Sequence, residues 1–180
     1  VTVLYTVGHG NRSTEELVAV LRAAGVRRLV DVRRYPASRR NPHLSEEALR
    51  RSLPELGIAY EWWGEALGGR RRARGAGRHV AWREAAFAGY ADHTDTPVFR
   101  EAVVRLAASA AEVPTAVMCA DVAWWRCHRR LIADTLALRG LTVVHLVDPF
   151  RRLPHRLHPG ARLGDDGWPV WDLAADRPLL

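Results

Sequence analysis

The 180-residue sequence contains no lysine: all 27 of its basic side chains are arginine. That absence excludes Schiff-base chemistry, covalent pyridoxal phosphate attachment and the P-loop lysine that holds a nucleotide's phosphates. Cysteine is almost as scarce, with two in the whole chain. Two are too few for a disulfide framework, so a reducing, cytoplasmic setting is the expectation. No apolar run approaches the roughly 18 residues of a membrane span, and no basic-then-apolar secretory segment opens the sequence. A membrane partner is therefore not expected.

What is present suits one domain, because 48% hydrophobic residues suffice for a single core. Basic residues outnumber the 20 acidic ones, leaving a net charge of +7. Complete replacement of lysine by arginine, beside so many alanines, reflects genome composition as well as function. The excess still points to an anionic partner, either a small molecule or a nucleic acid.

The order of elements is readable. Residues 2–7 form an apolar run of strand length that ends at Gly8-His9-Gly10. Ser13 and Glu16 make a capping box, and Leu17, Val18, Leu21 and Ala24 follow at helical spacing up to Gly25. Further strands are predicted at Arg28–Val32, Ile58–Trp63, Thr115–Cys119 and Thr142–Val147, with helices from Ser45 to about Gly57, Pro97 to about Ala111, and Trp125 to Arg139. Helix, glycine, then strand occurs three times, the pattern of βαβ crossovers. The expectation is a single three-layer α/β domain over residues 1–149, with a mostly parallel sheet of about five strands. Residues 150–180 read as an irregular tail packed on that same domain.

In a parallel α/β sheet the loops after the strands' carboxyl ends converge on one edge, where ligands bind. Those loops hold His9, Asn11 and Arg12; Asp31, Arg33, Ser38, Arg39 and Arg40; Gly68, Gly69 and Arg70; and Cys119, Asp121, Cys127, His128 and Arg129. The helix-to-strand connections carry little chemistry.

The motifs Thr6-Val7-Gly8-His9-Gly10-Asn11-Arg12-Ser13, Val30-Asp31-Val32-Arg33 with Pro36 and Ser38-Arg39, Leu67-Gly68-Gly69-Arg70, Phe87-Ala88-Gly89-Tyr90-Ala91, and Met118-Cys119-Ala120-Asp121 followed by Cys127-His128-Arg129 occur in an order that resembles the domain-of-unknown-function family 488. The resemblance covers residue 5 to about 147. It implies an α/β fold and no established activity. Gly10 stands where that family more often has serine. Asp121 replaces a usual glutamate, keeping the carboxylate but shortening its reach by a methylene.

Cys119 ends an apolar strand shortly before a helix, where loop N–H groups stabilise a thiolate. His128 would be its base, as in a cysteine-dependent transferase or hydrolase. The competing reading is an inert buried thiol acting as a small hydrophobe. Cys119, Cys127 and His128 are also candidate zinc ligands, although the adjacent Cys127 and His128 would diverge if both lay on a helix. No cofactor is otherwise expected. A disulfide between the two cysteines is a third alternative.

The turn from Gly8 to Ser13, with Asp31 ending the next strand, looks like a dinucleotide fingerprint whose third glycine is missing. Its N–H groups would hold a phosphate, or it is simply a tight turn capped by Ser13. His9 beside Asp31 would be an oriented base, or a histidine bracing the loop. The candidate catalytic set is thus Cys119, His128, His9 and Asp31. Gly8, Gly10, Asn11, Arg33, Ser38, Arg39, Gly69, Arg70, Tyr90, Asp121 and Arg129 are the candidates for holding an anionic, phosphate-bearing substrate. Arginines 70 to 78, flanked by Trp62, Trp63 and Trp82, offer the alternative: a nucleic-acid-binding module without chemistry of its own.

Overall fold

The computed structural model describes residues 1–75 and 77–173. Its strands are β1 Val3–Gly8, β2 Arg28–Asp31, β3 Ala59–Trp62, β4 Thr115–Cys119, β5 Thr142–Leu146, β6 Arg152–Pro154, β7 Ala161–Leu163 and β8 Pro169–Trp171. The helices are α1 Thr14–Ala23, α2 Glu46–Glu55, α3 Gly64–Leu67, α4 Ala85–Thr94, α5 Pro97–Glu112 and α6 Arg129–Leu138. The first six strands make one sheet in the order β3-β2-β4-β1-β5-β6. Five run parallel, and only β6 is antiparallel, on β5.

Apolar strand runs fit a sheet covered on both faces. Ala116 and Met118 of β4 join Leu17, Leu21, Leu49 and Leu53 of α1 and α2 on one face. Val117 and Cys119 join Phe99, Leu106, Leu131 and Leu136 of α5 and α6 on the other. Alternation along β4 therefore decides that the Cys119 side chain lies on the α6 face. Each fully buried leucine contributes about 1.5–3 kcal/mol, so both layers are firmly held. The predicted capping box of α1 is present, with Ser13 and Glu16 bonding reciprocally. Thr96 caps α5 through the Phe99 N–H.

One difference from the sequence expectation matters, in the helix ending near Arg139. The tail from residue 150 is largely irregular, as expected, and carries three short strands: β6 extends the sheet, and β7 and β8 form a hairpin that buries Trp171 in the core. The part of the tail at residues 174–180 lies outside the described residues. The helix expected from Trp125 to Arg139 is instead broken into a 3-10 turn, Trp124–Arg126, and α6. Cys127 sits between them in extended backbone, with φ −127° and ψ 150°.

β4 is inserted between β1 and β2, and the chain leaves β1 toward one face and β4 toward the other. Such a reversal splays the loops at the carboxyl edge and leaves a crevice beside the end of β4. Gly8 permits the closest approach there. A Cβ at that position would sit 1.9 Å from the Asp121 carbonyl oxygen, so any side chain would push the loop after β4 away.

Candidate functional site

Four of the five parallel strands deliver chemistry to this crevice, but the groups sort into two clusters. In the first, Asp31 at the end of β2 accepts from the Arg33 backbone N–H and from Nε and Nη2 of the Arg33 side chain, and from the Tyr60 hydroxyl at 2.6 Å. Arg33 Nη1 lies 3.1 Å from His9 Nε2, and His9 Nδ1 lies 2.8 Å from the Gly10 carbonyl. A guanidinium only donates and a carbonyl only accepts, so His9 carries its proton on Nδ1 and accepts at Nε2. Burial lowers the His9 pKa, with the Gly10 hydrogen bond opposing and the Arg33 charge assisting. Arg33 thus stands between His9 and Asp31, and the expected His9–Asp31 pair is not formed. Both ring nitrogens of His9 are engaged. This cluster braces the loops.

The Gly8–Ser13 turn is closed in the same way. The N–H groups of His9 and Gly10 donate to the carbonyls of Cys119 and Ala120. Those of Arg12 and Ser13 donate to the His9 carbonyl and the Glu16 carboxylate. The turn joins β1 to the loop after β4, and these four donors are not presented to a phosphate. Asn11 accepts from Asn41, and Ser38 Oγ accepts from the Asn41 N–H. Asn11, Ser38 and the exposed Arg39 line none of the crevice described next.

The second cluster is centred on sulfur. Cys119 Sγ and Cys127 Sγ lie 3.9 and 3.6 Å from His128 Nδ1. His128 Nε2 lies 3.0 Å from the Val32 carbonyl and must donate to it, which turns the Nδ1 lone pair toward both sulfurs. Cys127 Sγ also accepts the Arg129 backbone N–H, at 3.5 Å, where α6 begins. The two thiols behave as a pair. Cys119 is held well above the ordinary thiol range by its hydrogen bond to Cys127 and by burial. Burial opposes ionisation of Cys127, but the bond from Cys119, the contact with His128 and the charge of Arg129 outweigh it and bring its pKa well below that range. Sequence reasoning gave the low pKa to Cys119, because it placed Cys127 inside a helix rather than ahead of one.

A pocket of about 270 Å³ opens above this cluster, lined by Arg33, Arg34, Tyr35, Gly69, Arg70, Cys119, Ala120, Asp121 and His128. Cys119 faces it, whereas Cys127 lies behind. Burial raises the pKa of Asp121 at the rim, helped by the nearby Cys127 charge. Next to it is a second hollow of about 490 Å³ that shares Arg34, Tyr35 and Arg70 and adds Arg71, Arg72 and Arg74. Tyr35 stands 61% exposed between the two hollows.

Arg129 does not reach the pocket. It is almost fully buried, donating to the Asp121 carbonyl and to Thr6 Oγ1 at 3.1 Å. From Thr6 a chain of hydrogen bonds runs through His145 and His155 to Asp134, with spacings of 2.7, 2.9 and 2.8 Å. Every donor in it points toward the carboxylate. Burial, together with the neighbouring His155 and the charge of Arg129, holds the His145 pKa down to about 3. Tyr90 is equally internal: its hydroxyl donates to the Leu67 carbonyl, and its ring packs 5.1 Å from that of His128.

Besides Ala120, Arg34 and Tyr35 are the pocket residues that sequence reasoning missed. Position in the loop after β2 was the only signal, and it did not separate them from Arg33 and Arg39. The aromatic residues invoked for nucleic-acid stacking are engaged elsewhere. Trp62 donates to the Arg33 carbonyl, Trp63 lies under Arg105, and Trp82 stacks on Phe87.

Cys119, Cys127 and His128 are a group whose donor atoms all lie within 4.8 Å of one another. Among the described residues no helix is long and apolar enough to cross a membrane. The family model described as "Domain of unknown function DUF488" matches residues 13–136. No curated protein matches the chain, and no solved structure does.

Proposed function

Because the chain belongs to domain-of-unknown-function family 488, whose description assigns no activity, we propose its function from the site alone: a small enzyme that seats an anionic, phosphate-bearing substrate in the carboxyl-edge pocket and acts on it at the Cys119–Cys127–His128 centre. One observation carries the reading. Cys119 and His128 form the floor of a pocket whose walls bear Arg34 and Arg70, and among the described residues neither arginine has a carboxylate partner. A thiol and an imidazole beneath unneutralised guanidinium groups suit an anion whose reacting atom faces the sulfur.

The adjoining arginine-lined hollow extends the site to a substrate larger than a bare phosphate, and Tyr35 offers a flat face between the two hollows. Arg33 and Arg129 act by holding the loops rather than by touching substrate, because their guanidinium groups are already engaged.

The test pairs affinity with turnover. Inorganic phosphate and nucleoside phosphates are titrated calorimetrically, and chromogenic phosphate and acyl esters are screened for turnover. Arg34→Ala with Arg70→Ala is expected to weaken anion binding by at least about tenfold, equivalent to about 1.4 kcal/mol. Cys119→Ala is expected to abolish turnover, by at least about a hundredfold, equivalent to about 2.7 kcal/mol. Turnover that survives Cys119→Ala, or anion affinity indifferent to both arginines, would overturn the reading. Oligonucleotide affinity that falls steeply with salt, without turnover, would replace it with a nucleic-acid-binding role.

A further inference from the structure

We propose that Cys119, Cys127 and His128 are three ligands of a divalent metal, zinc by their chemistry, with the fourth coordination position open to the pocket. That this fourth position receives substrate rests on the reading of the pocket given above; the metal site itself rests on geometry.

The distances carry it first. Tetrahedral zinc with Zn–S of about 2.3 Å and Zn–N of about 2.0–2.1 Å requires S···N edges of about 3.5 Å and S···S edges of about 3.8 Å. The observed S···N separations are 3.6 and 3.9 Å, and all three donor atoms fall within 4.8 Å of one another.

The orientation of His128 is the second argument. Its Nε2 is anchored on the Val32 carbonyl, which fixes the tautomer and leaves Nδ1 to bind. Histidine ligands are held in this way by a carbonyl or carboxylate on the far nitrogen. Cys127 Sγ receives the Arg129 N–H, a second contact that orients a ligand from outside.

Charge and space complete the case. Two thiolates and a neutral imidazole balance a dication, and two thiolates with one nitrogen select zinc over magnesium or calcium. The extended backbone at Cys127, ahead of α6, lets two consecutive side chains converge, which removes the objection that they would diverge on a helix. Gly69 keeps the pocket side clear, because a Cβ there would stand 2.9 Å from His128 Nδ1. Three protein ligands with one side open is the arrangement of catalytic rather than structural zinc. The open position would take a water or an anionic oxygen of the substrate held by Arg34 and Arg70.

The experiment uses the full chain, purified without chelator and then titrated with zinc and cobalt(II). Elemental analysis is expected to give about one zinc per chain, and cobalt is expected to give visible bands of a tetrahedral thiolate site. Cys127→Ser and His128→Gln, checked for folding by circular dichroism, are each expected to lower metal affinity by at least about tenfold. A folded wild-type protein that takes up neither metal overturns the proposal, with no reliance on the variants. Metal uptake indifferent to both substitutions overturns it too. Phosphate binding without metal would leave the pocket reading standing and sink only the metal site. Zinc bound at these residues without any affinity for anions would do the reverse.

Discussion

The two polar clusters at the carboxyl edge each hold a histidine and differ in their surroundings: one is closed by charged partners, the other opens on a cavity. Around Asp31, Arg33 and His9, each of the charged or ring atoms named above has a protein partner, and the side chains are buried. Around Cys119, Cys127 and His128, one nitrogen lone pair faces two sulfurs, and the group opens to a pocket. A network closed by charged partners fixes loops; one that forms the floor of a cavity retains capacity to bind. The lesson is that position at a strand end does not separate the two roles, whereas the adjoining cavity does.

Breaking the closed cluster has the largest expected effect. Asp31→Asn leaves the buried Arg33 without its charge partner, and a loss of about 3–5 kcal/mol in unfolding free energy is expected from denaturant titration. A loss below about 1 kcal/mol would show that water reaches Arg33 and that the cluster is not closed.

Acid sharpens the same comparison, because closed networks here hold histidines neutral. His93 donates to the Ala66 carbonyl, and its pKa is lowered from 6.5 to about 4, chiefly by burial. His145, inside the chain leading to Asp134, is lowered from 6.5 to about 3. The unfolded chain therefore takes up these protons first. Stability is fully present above about pH 6.5 and falls progressively as the pH drops toward 4 and then 3. Chemical-denaturation midpoints measured between pH 7 and pH 4 should decline accordingly, with a shallower slope in His93→Gln. A slope unchanged by that substitution would remove His93 from the account.

The smallest effect on stability, with the clearest separation of roles, is expected at Gly69. Gly69→Ala presses a methyl group against the His128 ring at the edge of the pocket. The expected cost is about 1 kcal/mol or less, as for a shift of one half-buried side chain. Zinc and phosphate affinities should nevertheless fall, measured by the same titrations. A loss of stability comparable to that of Asp31→Asn would place Gly69 in the bracing cluster instead.

Much of the fold was legible. The capping box at Ser13, the Thr96–Pro97 start of α5 and the glycines ending helices are local signals that act within a few residues, and they marked boundaries well. The apolar strands identified a parallel sheet because such strands are covered on both faces. The short strands of the tail were missed, since β6, β7 and β8 are three residues each and form only by pairing with distant segments. The break in the helix before Arg129 was missed too. Trp124, at the start of the 3-10 turn, stacks at 4.1 Å on His145 of β5, a contact that no pattern local to the turn announces.

By itself, the sequence determined which side chains end the strands, and hence that histidine, cysteine, arginine and carboxylate gather at one edge. Hydrophobic spacing and capping are local, so the chain's own order was enough to place those groups there. Only the tertiary structure decided which of them face the pocket. Arg33 reaches Asp31 and His9, Arg129 reaches Thr6, and Arg34 and Arg70 are left facing the pocket, because hydrogen-bond partners come from strands far apart in the chain. The same packing set Cys127 in extended backbone beside Cys119, and so brought two sulfurs and an imidazole nitrogen to the separation at which a metal could join them.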